Sequence, residues 1–296
     1  MEQNQQLAGI FPALVTPFDK AGHLDSERAG PLIERLIEAG VHGFYIGGST
    51  GEGFLQSLEE RKRFLKYVAE TTKGRVKIIA HVGTLASHEA FYLSGCAADF
   101  GYDLISSTPP FYYAYTEDEV FSYYEELANK SSLPLLLYNA PHTTGVNLSM
   151  QTQQRLLEIP NVIGSKHTDS NMYVAEQLLS NSPGKVVMNG PDEMLTAGLA
   201  MGMQGGIGAT YNLMPSYFLD IYRYVNSGEL EKARESQVKV NRVIAELIRV
   251  SPCVIAGIKS ALGSLGYDVG YARKPLLQVK KDPSHLVELL TEMSCI

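Results

Sequence analysis

Eight short runs of β-branched and aliphatic residues recur along the chain, separated by longer segments with helical patterns. In chain order the runs are FPALVTPF, GFYIGG, KIIAHVG, LISSTPPF, PLLLYNAP, VIGSKHT, VVMNG and GGIGAT. Strands that alternate with helices in this way are typical of βα repeats around a parallel sheet. The alternation predicts an α/β fold, either a closed (β/α)8 TIM barrel or an open, doubly wound sheet.

Helix start and stop signals lie between these runs. One apolar stripe has the spacing of a helix face: Leu32, Ile33, Leu36 and Ile37. Two pairs resemble capping boxes that open helices, namely Ser57 with Glu60 and Thr116 with Glu119. Three glycines stand where a helix should end before the next strand: Gly40, Gly101 and Gly202. These signals support the βα repeat.

The chain continues beyond the eighth run with helical patterns alone. A long helix is indicated by the apolar residues Val240, Val243, Ile244, Leu247 and Ile248. The segment DPSHLVELLTEMS indicates a final helix. We expect a barrel over residues 1–225 and a C-terminal helical extension over 226–296, packed on the barrel as one structural unit.

Composition excludes several classes of function. The net charge is −7 and no run of Lys or Arg occurs, so the sequence gives no electrostatic basis for binding nucleic acid or a membrane surface. Three separated cysteines without CxxC spacing indicate neither a disulfide framework nor a zinc site. No signal-peptide pattern or membrane-spanning run is present, so we expect a cytoplasmic protein. The seven histidines include no HExxH, and His81 is expected to be a buried strand residue rather than a metal ligand.

A glycine-rich bend, FYIGGSTGEGF, follows the second run. It lacks the Lys-Ser/Thr pair of a P-loop and the GxGxxG spacing of a dinucleotide site. Its backbone N–H groups and the hydroxyls of Ser49 and Thr50 suit a small carboxylate as well as a phosphate. A tight turn in which Ser49 caps the following segment explains the same residues equally well.

Lys166 lies near the end of the sixth run. Strand alternation places Val162, Gly164 and Lys166 on one face, the expected barrel interior. Burying an unpaired ammonium costs several kcal/mol, so a lysine there is either ion-paired or held as the uncharged amine. A lysine at a strand end that reaches into solvent is the alternative.

The residues around Lys166 favour the buried alternative. In a barrel, functional side chains come from the C-terminal ends of several strands. Such ends carry the unusual residues of this chain: Ser49, Thr50, Tyr112, Tyr138, Thr168, Asp192 and Glu193. A desolvated lysine beside a phenol and a carboxylate-binding bend can form an imine with a keto acid and move protons around it.

Four segments, in the expected order, resemble the pyruvate-dependent class I aldolases and lyases, a dihydrodipicolinate synthase-like family. They are GGSTGEGFLQSLEER, YNAPHTTGVNLS, VIGSKHTDSNMY and NGPDEMLTAGLAMGMQGGIGATYN. The resemblance runs from about Gly9 to Gln278 and is greatest for the sialic acid-cleaving branch. It implies a (β/α)8 barrel with a C-terminal helical extension and a homotetramer built as a dimer of dimers. No cofactor is expected.

The resemblance also implies roles for individual residues. Lys166 would be the Schiff-base lysine, and Tyr138 would move the proton of the substrate C4 hydroxyl. Ser49 and Thr50 match the positions that bind the pyruvate carboxylate, and Ser49 also relays protons to the tyrosine. Tyr112 matches a catalytic tyrosine that reaches into the neighbouring subunit's site. The implied reaction is the reversible cleavage of N-acetylneuraminate to pyruvate and N-acetylmannosamine.

The distal end of the substrate decides which branch of the family applies. Gly190, Asp192 and Glu193 match positions that bind the polyhydroxyl chain of a sugar acid, and Thr168 matches a residue near the same hydroxyls. Thr143 stands where dihydrodipicolinate synthases carry an arginine for a second carboxylate, which argues against a dicarboxylate partner.

Two departures concern the sugar's tail: Ala209 replaces a common serine and Pro191 a tyrosine. An aldolase for another 2-keto-3-deoxy sugar acid therefore remains an alternative, as does a silent barrel retained for binding or regulation.

Overall fold

The computed structural model describes residues 7–251 and 253–293. In this part of the chain, eight strands form one parallel sheet in the order β1-β8-β7-β6-β5-β4-β3-β2. The strands are β1 (Gly9–Pro12), β2 (Gly43–Ile46), β3 (Lys77–His81), β4 (Leu104–Ser107), β5 (Leu135–Asn139), β6 (Val162–His167), β7 (Val186–Asn189) and β8 (Gly205–Gly208).

Backbone hydrogen bonds also join β1 to β2. The Leu14 N–H donates to Tyr45 O at 2.9 Å, and the His42 N–H donates to Ile10 O at 3.0 Å. The two ends of the sheet therefore meet, which confirms the (β/α)8 barrel and rules out the open sheet.

Helices surround the barrel and follow its last strand. They are α1 (Gly30–Glu38), α2 (Leu58–Thr72), α3 (Ser87–Asp99), α4 (Glu117–Lys130), α5 (Pro141–Thr144), α6 (Met150–Leu157), α7 (Met172–Asn181), α8 (Leu195–Ala200), α9 (Pro215–Asn226), α10 (Leu230–Val250), α11 (Val254–Ser264) and α12 (Ser284–Glu292). The last three form the C-terminal helical part. The predicted ends of the barrel and extension, at residues 1–6 and 294–296, lie outside the described residues. No described helix has the length and apolar character needed to cross a membrane.

The helix signals read from the sequence are confirmed. Both capping boxes are present, with each cap hydroxyl accepting the N–H of the glutamate three residues later at 3.3 Å. Gly40, Gly101 and Gly202 have φ angles of 91°, 78° and 99°, the left-handed backbone that ends a helix. The long helix expected around Val240 is α10, although Ile248 on it is 62% exposed.

Two apolar clusters lie on opposite faces of the sheet. Side chains that alternate along the strands fill the barrel interior: Phe11, Tyr45, Ile79, Leu136, Tyr138, Met188 and Ile207. Their neighbours, such as Leu135 and Leu137 on β5, pack outward against the helices. This alternation decides which residues of β6 face the interior.

A β-bulge in β6 changes that alternation. Leu135 pairs with Val162 but Leu136 pairs with Gly164, so Ile163 is an extra residue. The prediction that Val162 shares the interior face of Lys166 is therefore wrong. Val162 packs in the outer cluster and Ile163 against the interior one. The first strand was also predicted too late in the chain. The predicted run begins at Phe11, whereas β1 covers Gly9–Pro12 and Leu14 already lies beyond it.

Candidate active site

Lys166 lies inside the barrel at the C-terminal end of β6 and is 5% exposed. It pairs with Tyr138 of β5. Its Nζ is 4.1 Å from the centroid of the Tyr138 ring and 4.5 Å from that of Tyr45. The amine is therefore enclosed by two phenol rings and does not extend into solvent.

No carboxylate of the described residues forms an ion pair with Lys166; its polar end lies over aromatic faces instead. A desolvated cation over aromatic rings gains about 2 kcal/mol, less than the several kcal/mol that its burial costs. Burying this lysine therefore does not stabilise the fold, which is typical of a residue that serves a chemical role.

Tyr138 is 4% exposed and ends β5 beside this amine. Burial alone would raise the pKa of its phenol, but the nearby Lys166 charge and the Ser49 hydroxyl outweigh burial and leave the pKa below its usual value. The Ser49 Oγ is 3.5 Å from the Tyr138 hydroxyl. Lys166 and Ser49 together therefore favour the phenolate, the form that can accept a proton.

The glycine-rich bend is a tight turn that presents Ser49 to this phenol. The Glu52 N–H donates to Ser49 O at 3.0 Å, and the Gly53 N–H donates to Gly48 O at 3.1 Å. A Cβ at position 53 would lie 1.9 Å from Gly47 O, so the turn requires a glycine there. No side chain caps the short helical turn Gly53–Leu55. The Ser49 hydroxyl therefore points toward the site and not into a cap.

Thr168 and Gly190 lie against each other, directly after β6 and β7, at the edge of the site. Thr168 follows β6, and its Oγ1 is buried without a hydrogen-bond partner among the described residues. A Cβ on Gly190 would lie 1.9 Å from that oxygen, so only glycine fits beside Thr168. This hydroxyl also helps to lower the pKa of the nearby Tyr138, and a buried hydroxyl without a fixed partner is suited to binding a polar ligand.

Asp192 and Glu193 follow β7 but occupy different environments. The Asp192 Oδ2 accepts the N–H and the hydroxyl of Thr210 at 2.7 and 2.6 Å. Burial raises the pKa of Asp192 to about 6, although those two hydrogen bonds oppose the rise. Glu193 is exposed. The two carboxylates are therefore not an equivalent pair of free acceptors.

Tyr112 lies outside this cluster. Its side chain is 72% exposed, and its ring packs edge-on against Tyr113 with centroids 5.1 Å apart. The other site residues predicted from the sequence come from the ends of β2, β5, β6 and β7. Tyr112 does not join them within one chain.

Two neighbours of the site were not predicted to take part in it. Tyr45 could not be predicted from the sequence, because an aromatic residue in an apolar strand is expected to be an ordinary core residue. Its hydroxyl donates to Ser106 Oγ at 3.0 Å.

The second neighbour, His81, is buried at the end of β3, as expected. Its Nε2 accepts the Thr108 N–H at 3.3 Å, so Nδ1 carries the proton and donates to Gly47 O at 3.1 Å. Burial lowers the pKa of His81 well below its usual value, so the ring is neutral and supports the bend.

A metal-dependent alternative finds no ligand cluster in the described ranges: residues 7–251 and 253–293 bring no three His, Cys, Asp or Glu side chains close enough to hold an ion. The reactive groups that the site brings together are an enclosed amine, a phenol and hydroxyls.

The chain is similar to N-acetylneuraminate lyases and to a sialic acid aldolase over nearly its whole length. N-acetylneuraminate lyase of Rhizobium meliloti (strain 1021) is 44% identical over 277 residues, which cover 93% of this chain and 91% of the relative. The structure of N-acetylneuraminate lyase from Mycoplasma synoviae (crystal form I) matches with a TM-score of 0.88 at 34% identity, covering 98% of this chain and 97% of the other. A Ruminococcus gnavus sialic acid aldolase, solved as a catalytic lysine mutant, matches with a TM-score of 0.93 at 28% identity over 98% and 96% of the chains.

A family model agrees with these similarities. The model of the dihydrodipicolinate synthetase family matches residues 6–293, which include every strand of the barrel and the helices that follow it. The order of the four segments read from the sequence, the barrel and the enclosed amine on β6 agree with this match. The chain belongs to the dihydrodipicolinate synthetase family.

Proposed function

We propose that this chain is a carbon-carbon lyase, a class I aldolase that cleaves N-acetylneuraminate reversibly to pyruvate and N-acetylmannosamine. The observation that carries the proposal is Lys166, 5% exposed and enclosed by Tyr138 and Tyr45 at the C-terminal end of the barrel. Relatives named N-acetylneuraminate lyase and sialic acid aldolase support this choice of substrate.

The first step forms a covalent bond between Lys166 and the open-chain sugar acid. The free amine attacks the C2 ketone to give a carbinolamine, which takes up one proton and loses water to become a protonated imine. Tyr138 and Tyr45 enclose the amine and hold it in place for this attack. The positive imine nitrogen then serves as the electron sink.

The second step breaks the C3–C4 bond. Tyr138, as the phenolate, removes the C4 hydroxyl proton; the C4–O electrons form the aldehyde of N-acetylmannosamine, and the C3–C4 electrons pass to the iminium as an enamine. Protonation of the enamine at C3 and addition of water return pyruvate and free Lys166. The lowered pKa of Tyr138 and the Ser49 hydroxyl 3.5 Å away support this proton transfer.

The same geometry supports roles for the binding residues. Ser49 and Thr50 would hold the carboxylate through hydroxyl and backbone donors of the bend. Thr168 would bind a sugar hydroxyl through its buried hydroxyl, which packs closely against Gly190. Glu193 would accept hydroxyl donors from the polyol chain, with Asp192 held beside it by Thr210.

The proposal also covers the oligomeric state, the cellular location and the division of the chain into domains. The 72% exposed Tyr112 supports an assembly in which this residue completes the site of a neighbouring subunit, in a homotetramer built as a dimer of dimers. We assign the protein to carbohydrate metabolism in the cytoplasm, and treat residues 1–225 and 226–296 as one structural unit.

One observation favours a second candidate. The Asp192 carboxylate is bonded to Thr210, so this part of the site offers fewer free acceptors than two exposed carboxylates would. An aldolase for a different 2-keto-3-deoxy sugar acid with a shorter tail would need fewer. Pyruvate release from a panel of sugar acids separates the two: fastest release from N-acetylneuraminate supports the lyase, and a faster shorter acid supports the alternative.

The decisive experiment traps the imine. Sodium borohydride and pyruvate are added to the full chain, and peptide mass mapping locates the reduced adduct. We expect a pyruvyl adduct on the peptide that contains Lys166 and none in Lys166→Met. No adduct on wild type under conditions in which a known class I aldolase is modified would overturn the proposal and favour a silent binding barrel.

A further inference from the structure

A buried ion pair joins the bend that carries Ser49 and Thr50 to the C-terminal helical part. The Lys259 Nζ donates to Glu52 Oε1 at 2.5 Å, and the two side chains are 1% and 0% exposed. The partners are 207 residues apart in the sequence. Neither is part of the cluster around Lys166, so the proposed mechanism does not account for them.

The pair is fixed on both sides by further hydrogen bonds. Lys259, on α11, also donates to Thr16 O at 2.6 Å and to Tyr271 O at 2.8 Å, which occupies its three donors. The second oxygen of Glu52 accepts the Arg273 N–H at 2.6 Å. A buried ion pair is favourable only when its remaining donors and acceptors are satisfied in this way.

Glu52 has an unusual backbone for a residue with a side chain. Its φ is 54°, in the left-handed region that glycine adopts most readily, although glycines flank it at positions 51 and 53. Its N–H donates to Ser49 O and so closes the turn. A non-glycine residue keeps such a conformation when its surroundings fix it, and here Lys259 and Arg273 hold its carboxylate.

We propose that Glu52 and Lys259 are positioning residues for the carboxylate subsite. Through this pair the C-terminal helical part holds the bend in the conformation in which Ser49 and Thr50 receive the substrate carboxylate. The inference rests on the proposed function, because it takes the bend as the carboxylate site. It predicts that disrupting the pair weakens recognition of the carboxylate and leaves reaction of the ketone with Lys166 largely intact.

The test compares two ketones that differ only in the carboxyl group. Borohydride trapping is titrated with pyruvate and with methyl pyruvate, and the ratio of half-saturating concentrations gives the preference for the carboxylate. In Glu52→Gln, and in the double variant Glu52→Gln/Lys259→Met that removes both buried charges, we expect this preference to fall by about tenfold or more, equivalent to one charge-assisted hydrogen bond. Glu246→Gln breaks a pair with Arg249 on α10, away from the bend, and should keep the wild-type ratio.

Thermal unfolding is measured on every variant, so that loss of stability and loss of carboxylate preference are separate readouts. Glu52→Asp keeps both charges and shortens the reach by one methylene, which gives the same comparison if the charge-removing variants do not fold. Variants that lose stability but keep the wild-type ratio would overturn the positioning role. Failure of wild type to trap pyruvate on Lys166 would instead overturn the proposed function, and the positioning role with it.

Discussion

Tyr138 and Lys166 are directly paired residues on β5 and β6, and this register places the amine 4.1 Å from the centre of the phenol ring. The register depends on the bulge at Ile163, which shifts the residues after it by one position relative to β5. If β6 paired regularly from Val162 onward, with Ile163 opposite Leu136, Lys166 would point outward toward the helices, because side chains alternate between the two faces of a strand. The bulge is therefore what brings the amine to the phenol.

Gly164 follows the bulge and should be sensitive to any side chain. A Cβ there would lie 2.0 Å from Val186 O, inside the β6–β7 pairing. We expect Gly164→Ala to lower the free energy of unfolding by about 3 kcal/mol or more and to reduce trapping at Lys166, because β6 must move. Gly95→Ala is the matched control: it lies in α3 with open space around the new methyl group, and should raise stability by up to about 1 kcal/mol. Denaturant unfolding of both variants checks the pair.

The fold could be predicted because its signals are local. Capping boxes, helix-ending glycines such as Gly40 and short apolar runs each act within a few residues; the boxes and glycines are confirmed, and every run overlaps a strand. The bulge was missed because no turn residue marks it: Ile163 continues a β-branched run, and the extra residue becomes visible only from the pairing with β5. A one-residue shift reverses the face of every residue before it, which explains the error at Val162.

The site was predicted in part for the same reason. Lys166, Tyr138 and Ser49 stand out as polar residues at the ends of apolar runs, and the structure brings them together. Tyr45 and the Glu52–Lys259 pair do not stand out. An aromatic residue within a strand is expected to be an ordinary core residue. Glu52 and Lys259 are 207 residues apart, and no sequence pattern indicates that they form a pair.

Tyr138→Phe should separate imine formation from bond cleavage. Lys166 remains enclosed by two rings, so we expect borohydride trapping of pyruvate to persist. Cleavage of N-acetylneuraminate should fall by about 10²- to 10⁴-fold, because the group that takes the C4 hydroxyl proton is gone. Pyruvate release in a coupled assay and trapping on the same preparation give the two readouts.

Tyr45→Phe is the control for that variant. It keeps the ring under Lys166 and removes only the hydrogen bond from its hydroxyl to Ser106. We expect a loss of about 1 kcal/mol in stability and less than about tenfold in cleavage rate. Equal loss of cleavage in both variants would contradict the assignment of proton transfer to Tyr138.

Lys166→Met should remove activity with little effect on stability. The thioether side chain has nearly the same length and needs no desolvation of a charge, whereas the lost cation–π contacts are worth about 2 kcal/mol. These terms oppose each other, so we expect the free energy of unfolding to change by less than about 2 kcal/mol while trapping disappears. Urea unfolding and mass mapping measure the two effects. Residual trapping at another lysine would show that a different amine reacts.

Asp192 should make the protein less stable as the pH rises from 4 to 7. Burial raises its pKa to about 6 in the folded state, whereas an aspartate in the unfolded chain titrates near about 4. Between these values the folded protein holds a proton that the unfolded chain has released. The stabilisation is complete below about pH 4 and is lost as the pH rises through about 6, a fall of about 3 kcal/mol.

Asp192→Asn keeps an oxygen that can accept the Thr210 N–H and cannot titrate, so the unfolding free energy of wild type minus that of this variant should fall by this amount across the range. Glu193→Gln removes the exposed neighbouring carboxylate but keeps Asp192, and it should therefore retain the fall. A difference between wild type and Asp192→Asn that stays constant with pH would show that Asp192 has the same pKa in the folded protein as in the unfolded chain, because its two hydrogen bonds from Thr210 offset the effect of burial.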